Sequence, residues 1–378
     1  MAHTIEDLIP EYIRGLPAYV PGRPIEEVER ELKIHAIKLA SNENPLGPSP
    51  KAIEALKAAV SESHRYPDGG THLLRGKLAR KHGVDPDQIF IGLGSSEIID
   101  LAARILLRAG KTGVTSHGSY PPFSLAIRAS GAELVRVPQQ DFAFDLPAVA
   151  EVVAAQRETR VVYLANPNNP TGTSFGMHDL EELLHHLPAE VLVVLDEAYI
   201  HYAERGDMPD SVKLLRQNKN LLIMRTFSKV YGLAGLRIGY GIGDAGVVSA
   251  MNKLRTPFNV SGVTQAAALA ALDDAEHVER SMRENAAERA RVTAQLTHLG
   301  LRPVRSHTNF IFIDIGPEAQ EISGDLLHAG VIVRPLGWMG FPEAIRVSVG
   351  TSEENDQLLA AISRILTRRA GQSEMTAR

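Results

Sequence analysis

The stretch that decides the fold runs from Asn220 to Tyr240: Asn220-Leu221-Leu222-Ile223-Met224-Arg225-Thr226-Phe227-Ser228-Lys229-Val230-Tyr231-Gly232-Leu233-Ala234-Gly235-Leu236-Arg237-Ile238-Gly239-Tyr240. Its first six residues read as a buried strand and its last four as another. Between them Lys229 stands among small and apolar residues, with hydroxyls at Thr226 and Ser228 and an arginine, Arg237, eight positions on. A lysine held between apolar strands loses hydration, which depresses its pKa and frees the amine to attack carbonyls. Arg237 and the two hydroxyls offer a phosphate dianion a planar fork and short donors. A single lysine is ordinarily a solvated loop residue, so the flanking chain must carry the case.

Outward from this stretch, strand and helix patterns alternate. Ile89-Phe90-Ile91-Gly92-Leu93, Lys111 to Thr115, Ala132 to Val137, Arg160 to Ala165 and Val191 to Glu197 read as strands separated by helices. The run Val191-Leu192-Val193-Val194-Leu195 is apolar throughout and ends in Asp196-Glu197. Such a run belongs in the middle of a parallel sheet covered on both faces, and the alternation as a whole predicts an open α/β sheet. Near residue 260 the character changes to one long Ala-, Arg- and Glu-rich helix, roughly Val263 to Leu299. Strands at Phe310–Ile313, Val331–Val333 and Ile345–Val349 follow, then helix to a polar tail at about Ala370–Arg378. The expected fold is α/β: a large domain with a mostly parallel central sheet flanked by helices, plus a smaller α+β domain. Residues 1–40 form an arm joining the small domain, 41–270 the large domain and 271–378 the small one.

The 378 residues suit two domains, and 44% hydrophobic content allows a sizeable core. A net charge of −5 with no basic patch speaks against nucleic acid. The absence of cysteine excludes disulfides, thiolate metal sites and a cysteine nucleophile. Met1 to Asp7 lacks the cationic and apolar regions of a signal peptide, and no apolar run reaches about 18 residues, so no membrane span is expected. The expected compartment is the cytoplasm. Gly241-Ile242-Gly243-Asp244-Ala245-Gly246 fits G-x-G-x-x-G, yet lies late in the chain and lacks an acid about 20 residues further on. Gly110-Lys111-Thr112 resembles the end of a phosphate loop, with Ile105 where the leading glycine belongs. His185-His186 and the other histidines lack metal spacing, so no metal is expected.

Ligands of open α/β sheets sit beyond the carboxyl ends of the strands. At that end stand Ser95 and Ser96, Asn169, Asp196 with Tyr199, and Lys229 with Arg237. These are the parts of a pyridoxal phosphate site, which needs an amine for the Schiff base and a carboxylate against the ring nitrogen. Each has an ordinary alternative. Asp196 could cap a helix, Tyr199 could pack, and Asn169 could serve a turn. Ser95 and Ser96 open a helix whose free N–H groups attract phosphate, or they merely cap it. Tyr120 could stack on the cofactor ring or pack.

Ser228-Lys229 with Arg237, Asp196-Glu197-Ala198-Tyr199 and Asn166-Pro167-Asn168-Asn169-Pro170-Thr171-Gly172 resemble the signatures of fold-type-I aminotransferases that use pyridoxal phosphate. Leu16-Pro17-Ala18-Tyr19, Ser41-Asn42-Glu43-Asn44-Pro45, Arg65-Tyr66-Pro67-Asp68, Thr308-Asn309-Phe310, Val331-Ile332-Val333-Arg334-Pro335 and Arg346-Val347-Ser348-Val349-Gly350-Thr351 extend the likeness, and the chain resembles the histidinol-phosphate aminotransferase family along nearly its full length. The resemblance implies that Lys229 joins the cofactor and, released as free amine, carries the proton between substrate Cα and cofactor. It places Asp196 on the ring nitrogen, Tyr199 and Asn169 on the ring oxygen, and Tyr120 against the ring. Ser95, Ser96, Thr226, Ser228 and Arg237 would hold the phosphate, with Tyr66 reaching it from the other subunit of a homodimer with shared sites. Arg334 and Arg346 would face the anionic end of the substrate, with Tyr19 and Asn309 nearby. The implied reaction passes an amino group from glutamate to imidazole-acetol phosphate, giving L-histidinol phosphate and 2-oxoglutarate.

The segment Pro335-Leu336-Gly337-Trp338-Met339-Gly340-Phe341-Pro342 is apolar and carries the only tryptophan, and Ser119-Tyr120-Pro121-Pro122-Phe123 departs from the family pattern. The resemblance implies that such an apolar segment lies near the substrate and that relatives with apolar versions also accept phenylalanine or tyrosine, so an aromatic amino acid aminotransferase stays open as an alternative; the related threonine-phosphate decarboxylase is a second. A cofactor-sensing regulator would need a DNA-binding domain ahead of the aminotransferase-like part, for which the arm is too short and not basic.

Overall fold

The structure is a computed structural model that describes residues 4–376 apart from 19–21 and 205. In chain order the strands that position the site are β1 (Ile37–Lys38), β2 (Ile89–Gly92), β3 (Thr112–Ser116), β4 (Glu133–Val137), β5 (Thr159–Ala165), β6 (Leu192–Asp196), β7 (Leu221–Thr226) and β8 (Gly239–Gly243). They continue with β9 (Arg302–Pro303), β10 (Phe310–Asp314), β11 (Val331–Ile332), β12 (Arg334–Pro335) and β13 (Ala344–Ser348).

One sheet has the order β2-β8-β7-β6-β5-β3-β4. Its neighbouring strands are parallel, except that β8 runs antiparallel to both β7 and β2. The apolar run Val193-Val194-Leu195 lies in the central strand and is fully buried, as a both-faces-covered strand requires. The G-x-G-x-x-G stretch resolves into β8 and the start of the next helix. A Cβ on Gly243 would approach Leu222 to 3.0 Å, and Asp244 caps the helix Ala245–Leu254 through Gly246 N–H. Close packing between strands accounts for those glycines.

The expected single helix from Val263 to Leu299 is two helices, Gly262–Ala271 and Ala275–His298. The break at 272–274 comes from two adjacent acids that engage groups outside the helix. Asp274 accepts from Ser49 Oγ at 2.5 Å, and Asp273 pairs with Lys77. Aspartate offers the backbone alternatives to helix, so the pair is a natural stop. The polar tail expected from Ala370 is helical instead, the last helix running from Ser352 to Thr376.

A second, antiparallel sheet has the order β9-β10-β13-β12. Its residues alternate faces with period two. Ile311, Ile313, Ile345 and Val347 pack with Leu358 and Ile362 of the last helix, while Phe310, Phe312, Arg346 and Ser348 take the other face. Val331–Ile332, expected as a strand, pairs in parallel with Ile37–Lys38 rather than within that sheet. The arm before β1 carries a short helix, Glu11–Arg14, and Arg128 donates to Gly15 O at 3.3 Å. A Cβ on Gly22 would stand 3.4 Å from Arg334 Nη1, so the arm passes beside that arginine.

Candidate active site

Because β8 runs against its neighbours, Gly239 at its start pairs with Thr226 at the end of β7. The loop between them therefore returns to the rim it left, and Lys229 and Arg237 share the carboxyl end of the parallel strands. Facing them is the helix Gly94–Leu106, which begins directly after β2 with Ser95 and Ser96 in its first turn. Gly94 has φ of 72°, and a Cβ on it would lie 2.9 Å from Arg237 Nη2. A Cβ on Gly239 would lie 3.1 Å from Ser95 N and 3.0 Å from Arg225 O. Thr226 Oγ1 accepts from Ser228 N–H at 3.0 Å, and the exposed Arg237 donates to Ala234 O at 3.0 Å. The free N–H groups of a helix start that carries Ser95 and Ser96, the Thr226–Ser228 turn and the Arg237 guanidinium thus surround a position, Gly239, where any side chain would crowd them. That donor set suits a phosphate.

Beside the cradle, Lys229 Nζ donates to Ser41 O at 3.3 Å and Asn42 O at 3.2 Å. Desolvation lowers its pKa to about 8, and the Arg346 charge pushes the same way. Asp196, at the end of β6, is buried. Desolvation raises its pKa to about 7, against the Ala198 N–H bond at 2.9 Å that favours the carboxylate. The next residue points the other way along the pleat: Glu197 accepts from Arg225 Nε at 2.8 Å and Ser211 Oγ at 2.6 Å. Of the two acids ending the apolar strand, Glu197 is thus committed to Arg225 and Ser211, while Asp196 feels the charge of Lys229. A buried carboxylate whose ionised form is disfavoured calls for a cation against it, which is what a protonated pyridine supplies.

Tyr199 is buried 5.4 Å from Lys229 Nζ, measured to its ring centre, and its hydroxyl accepts from Asn42 Nδ2 at 2.9 Å. Burial raises its pKa to about 12. Asn169 Oδ1 accepts from Arg346 Nη1, and Arg346 Nη2 donates to Ala40 O at 2.8 Å. Arg346 also lies 5.2 Å from the Phe310 ring. Asn309 Nδ2 donates to Asn42 O at 3.0 Å and Glu43 O at 3.3 Å, while its Oδ1 is buried with no hydrogen-bond partner among the described residues. A buried acceptor without a partner, beside Lys229's own carbonyl partner Asn42, is a place where a ligand donor would fit.

Arg334 is the cross-strand partner of Arg346 and stacks on Trp338 at 4.7 Å. Tyr120 is half-buried, edge-on to Phe123 at 5.7 Å. Tyr66 is 83% exposed and stacks on Phe258 at 4.7 Å rather than joining the group around Lys229. Tyr19 lies outside the described residues. In the sequence, Ser41-Asn42-Glu43-Asn44-Pro45 belongs to the family likeness and carries no expected role in the site. The structure lays it across the site, with the carbonyls of Ala40, Ser41, Asn42 and Glu43 accepting in turn from Arg346, Lys229 and Asn309. The only local signal was an asparagine in turn-rich text, and Asn42 does adopt the left-handed region with φ of 56°.

The family described as aminotransferase class I and II matches residues 34–362. Histidinol-phosphate aminotransferase 2 of Pseudomonas fluorescens is 45% identical over 94% of this chain and 96% of its own length. Its counterpart from Pseudomonas aeruginosa is 46% identical, with the same shares covered. Among solved structures, histidinol-phosphate aminotransferase from Sinorhizobium meliloti in complex with pyridoxal-5'-phosphate has a TM-score of 0.88 at 33% identity, covering 95% of this chain and 97% of that one.

Proposed function

The chain belongs to the class I and II aminotransferases, and within them to the histidinol-phosphate aminotransferase family; from that membership we propose that it transfers an amino group between L-histidinol phosphate and 2-oxoglutarate, in histidine biosynthesis, with pyridoxal phosphate as cofactor. The observation that carries the reading is the meeting, at one rim of the sheet, of Lys229, the buried Asp196 and the cradle of Ser95, Thr226, Ser228 and Arg237. Bound there, pyridoxal phosphate supplies an aldehyde for amines and a protonated ring that withdraws electrons from substrate Cα.

The chain's own residues do the rest. Lys229, with a pKa near 8, can hold or release a proton at Cα near neutral pH. Asp196 keeps the ring nitrogen protonated, Tyr199 and Asn169 hold the ring oxygen, and Tyr120 packs against the ring. Ser95, Ser96, Thr226, Ser228 and Arg237 hold the phosphate. Arg334 and Arg346 clamp the phosphate ester of one substrate and the distal carboxylate of the other, each by a bidentate fork. Asn309 and Tyr19 line the same end. We assign Tyr66 to the site of a second copy, in a homodimer; its exposed ring, stacked on the exposed Phe258, supports that role. We put the junction of the large and small domains at 270/271, next to the helix break at 272–274, and the reaction in the cytoplasm.

A second reading, an aromatic amino acid aminotransferase, is favoured by the Phe142, Phe312 and Phe341 cluster, whose ring centres lie 5.0 to 6.0 Å apart, with Phe312 paired across strands to Arg346. Absorbance with added pyridoxal phosphate, before and after borohydride, followed by mapping of the modified lysine, tests the chemistry. Label at Lys229 is expected, and a protein that stays colourless sinks the reading. Turnover of histidinol phosphate, phenylalanine and threonine phosphate then separates the substrates.

A further inference from the structure

We propose that Asn42 is a positioning residue of this site, aiming the Tyr199 phenol with its side-chain amide while its backbone carbonyl holds the Lys229 amine. The inference rests on the pyridoxal phosphate reading for its purpose, though not for its geometry. Asn42 is 1% exposed and makes bonds in four directions. Its N–H donates to Ser348 Oγ at 2.7 Å, and Ser348 Oγ donates back to Asn42 Oδ1 at 3.1 Å. In that closed pair the oxygen end of the amide faces Ser348. Nδ2, which can only donate, is therefore the end that faces Tyr199, at 2.9 Å. A phenol oxygen that already accepts from an amide must turn its own proton elsewhere, and the open direction is the site. The Asn42 carbonyl meanwhile accepts from Lys229 Nζ at 3.2 Å and from Asn309 Nδ2 at 3.0 Å.

Asparagine suits both tasks. Its φ of 56° is a conformation that asparagine tolerates and that most other residues resist, and this turn of the backbone presents carbonyl and side chain to different partners. Ser348 lies two residues from Arg346 on the same face of β13, so the residue also ties the anion-binding strand to the groups that do the proton chemistry. The charged groups facing this pair are Asp196 and Arg346 toward Tyr199, and Arg346, Glu43, Arg237 and Asp196 toward Lys229.

Three variants test the assignment: Asn42→Gly, which keeps the backbone conformation and deletes the amide; Asn42→Asp, which replaces its donor by an acceptor; and Ser348→Ala, which frees the amide without touching it. Cofactor-free protein carrying tyrosine labelled with 13C at Cζ is examined by NMR, and Lys229 is followed by the pH dependence of its reductive methylation. Asn42→Gly is expected to shift the Tyr199 resonance, leave the Lys229 midpoint in place, and lower kcat about tenfold with KM little changed. Asn42→Asp is expected to raise the Lys229 midpoint, since a new carboxylate favours the ammonium, and to lower kcat further. Ser348→Ala should shift Tyr199 in the same direction as Asn42→Gly, and it carries the test if the glycine variant fails to fold. An unmoved Tyr199 resonance, or a lower melting temperature with kcat retained, overturns the proposal. Failure to bind pyridoxal phosphate would defeat the proposed function alone, because the NMR result is read without cofactor.

Discussion

Arg334 and Arg346 stand directly opposite each other on adjacent antiparallel strands, β12 and β13. Like charges in that relation destabilise a sheet, and Arg346 is buried as well. Arg346 donates to Asn169 Oδ1 and the Ala40 carbonyl, and Arg334 stacks on the face of Trp338. Under the proposed function, the anionic end of the substrate would bind between these two guanidinium groups. Replacing Arg346 by lysine keeps the charge and loses the fork, so Arg346→Lys is expected to raise KM for histidinol phosphate and for 2-oxoglutarate together. Loss of a charged hydrogen bond corresponds to about a tenfold effect or more in kcat/KM. Steady-state kinetics with both substrates check it; a change confined to one substrate would contradict the shared clamp.

Asp196 gives a prediction about stability against pH. Its folded pKa is raised, from 3.8 to about 7. Its favourable contribution is therefore complete below the unfolded value and lost as pH rises through about 7. At pH 8 the cofactor-free protein bears the full cost of a buried carboxylate. Asp196→Asn removes that cost and is expected to stabilise the cofactor-free protein at pH 8 by on the order of 2–4 kcal/mol, with the gain vanishing near pH 4. The same variant should lose nearly all transamination. Denaturant unfolding across this pH range is the measurement.

Gly239 tests the cradle. A methyl group there meets backbone on every side, at 3.0 Å from Arg225 O and 3.1 Å from both Gly94 C and Ser95 N. None of these atoms belongs to a side chain that can swing away. Gly239→Ala is expected to cost about 1–3 kcal/mol of stability and to raise the dissociation constant for pyridoxal phosphate, measured by fluorescence titration. Gly235→Ala, in open space by the same criterion, should change neither.

Beneath the site, the buried Glu197 pairs with the half-buried Arg225 at 2.8 Å. Removing the acid strands the guanidinium, so Glu197→Ala is expected to cost about 3 kcal/mol or more. Replacing both partners, Glu197→Met with Arg225→Met, should recover much of that loss. Chemical denaturation of the single and double variants supplies the comparison.

Most of the large sheet was legible because its strands announce themselves. Val193-Val194-Leu195 admits no amphipathic reading, and the acids that end it mark the rim where ligands bind. Lys229 and Arg237 were legible as a pair because one short loop joins them. What escaped was carried by the backbone or by distant pairing. Nothing local in Ser41-Asn42-Glu43 says that its carbonyls will meet Lys229, which lies 188 residues away in the case of Ser41. The helix break at Asp273-Asp274 was hidden because its cause, Ser49, belongs to another helix. Val331–Ile332 looked like any apolar strand, and only its partner Ile37–Lys38 decides that it stays out of the four-stranded sheet.

The strap at 40–43 has an evolutionary corollary. Its acceptors are peptide oxygens, which every amino acid possesses, so no single replacement in the gene deletes them. Under the proposed function, changes at Arg334, Trp338 or the phenylalanine cluster would alter substrate preference and leave the carbonyl seat of Lys229 in place. An insertion or deletion between Ala40 and Glu43 is the kind of change that would unseat it, so lineages that diverge in substrate should still keep the length of this segment.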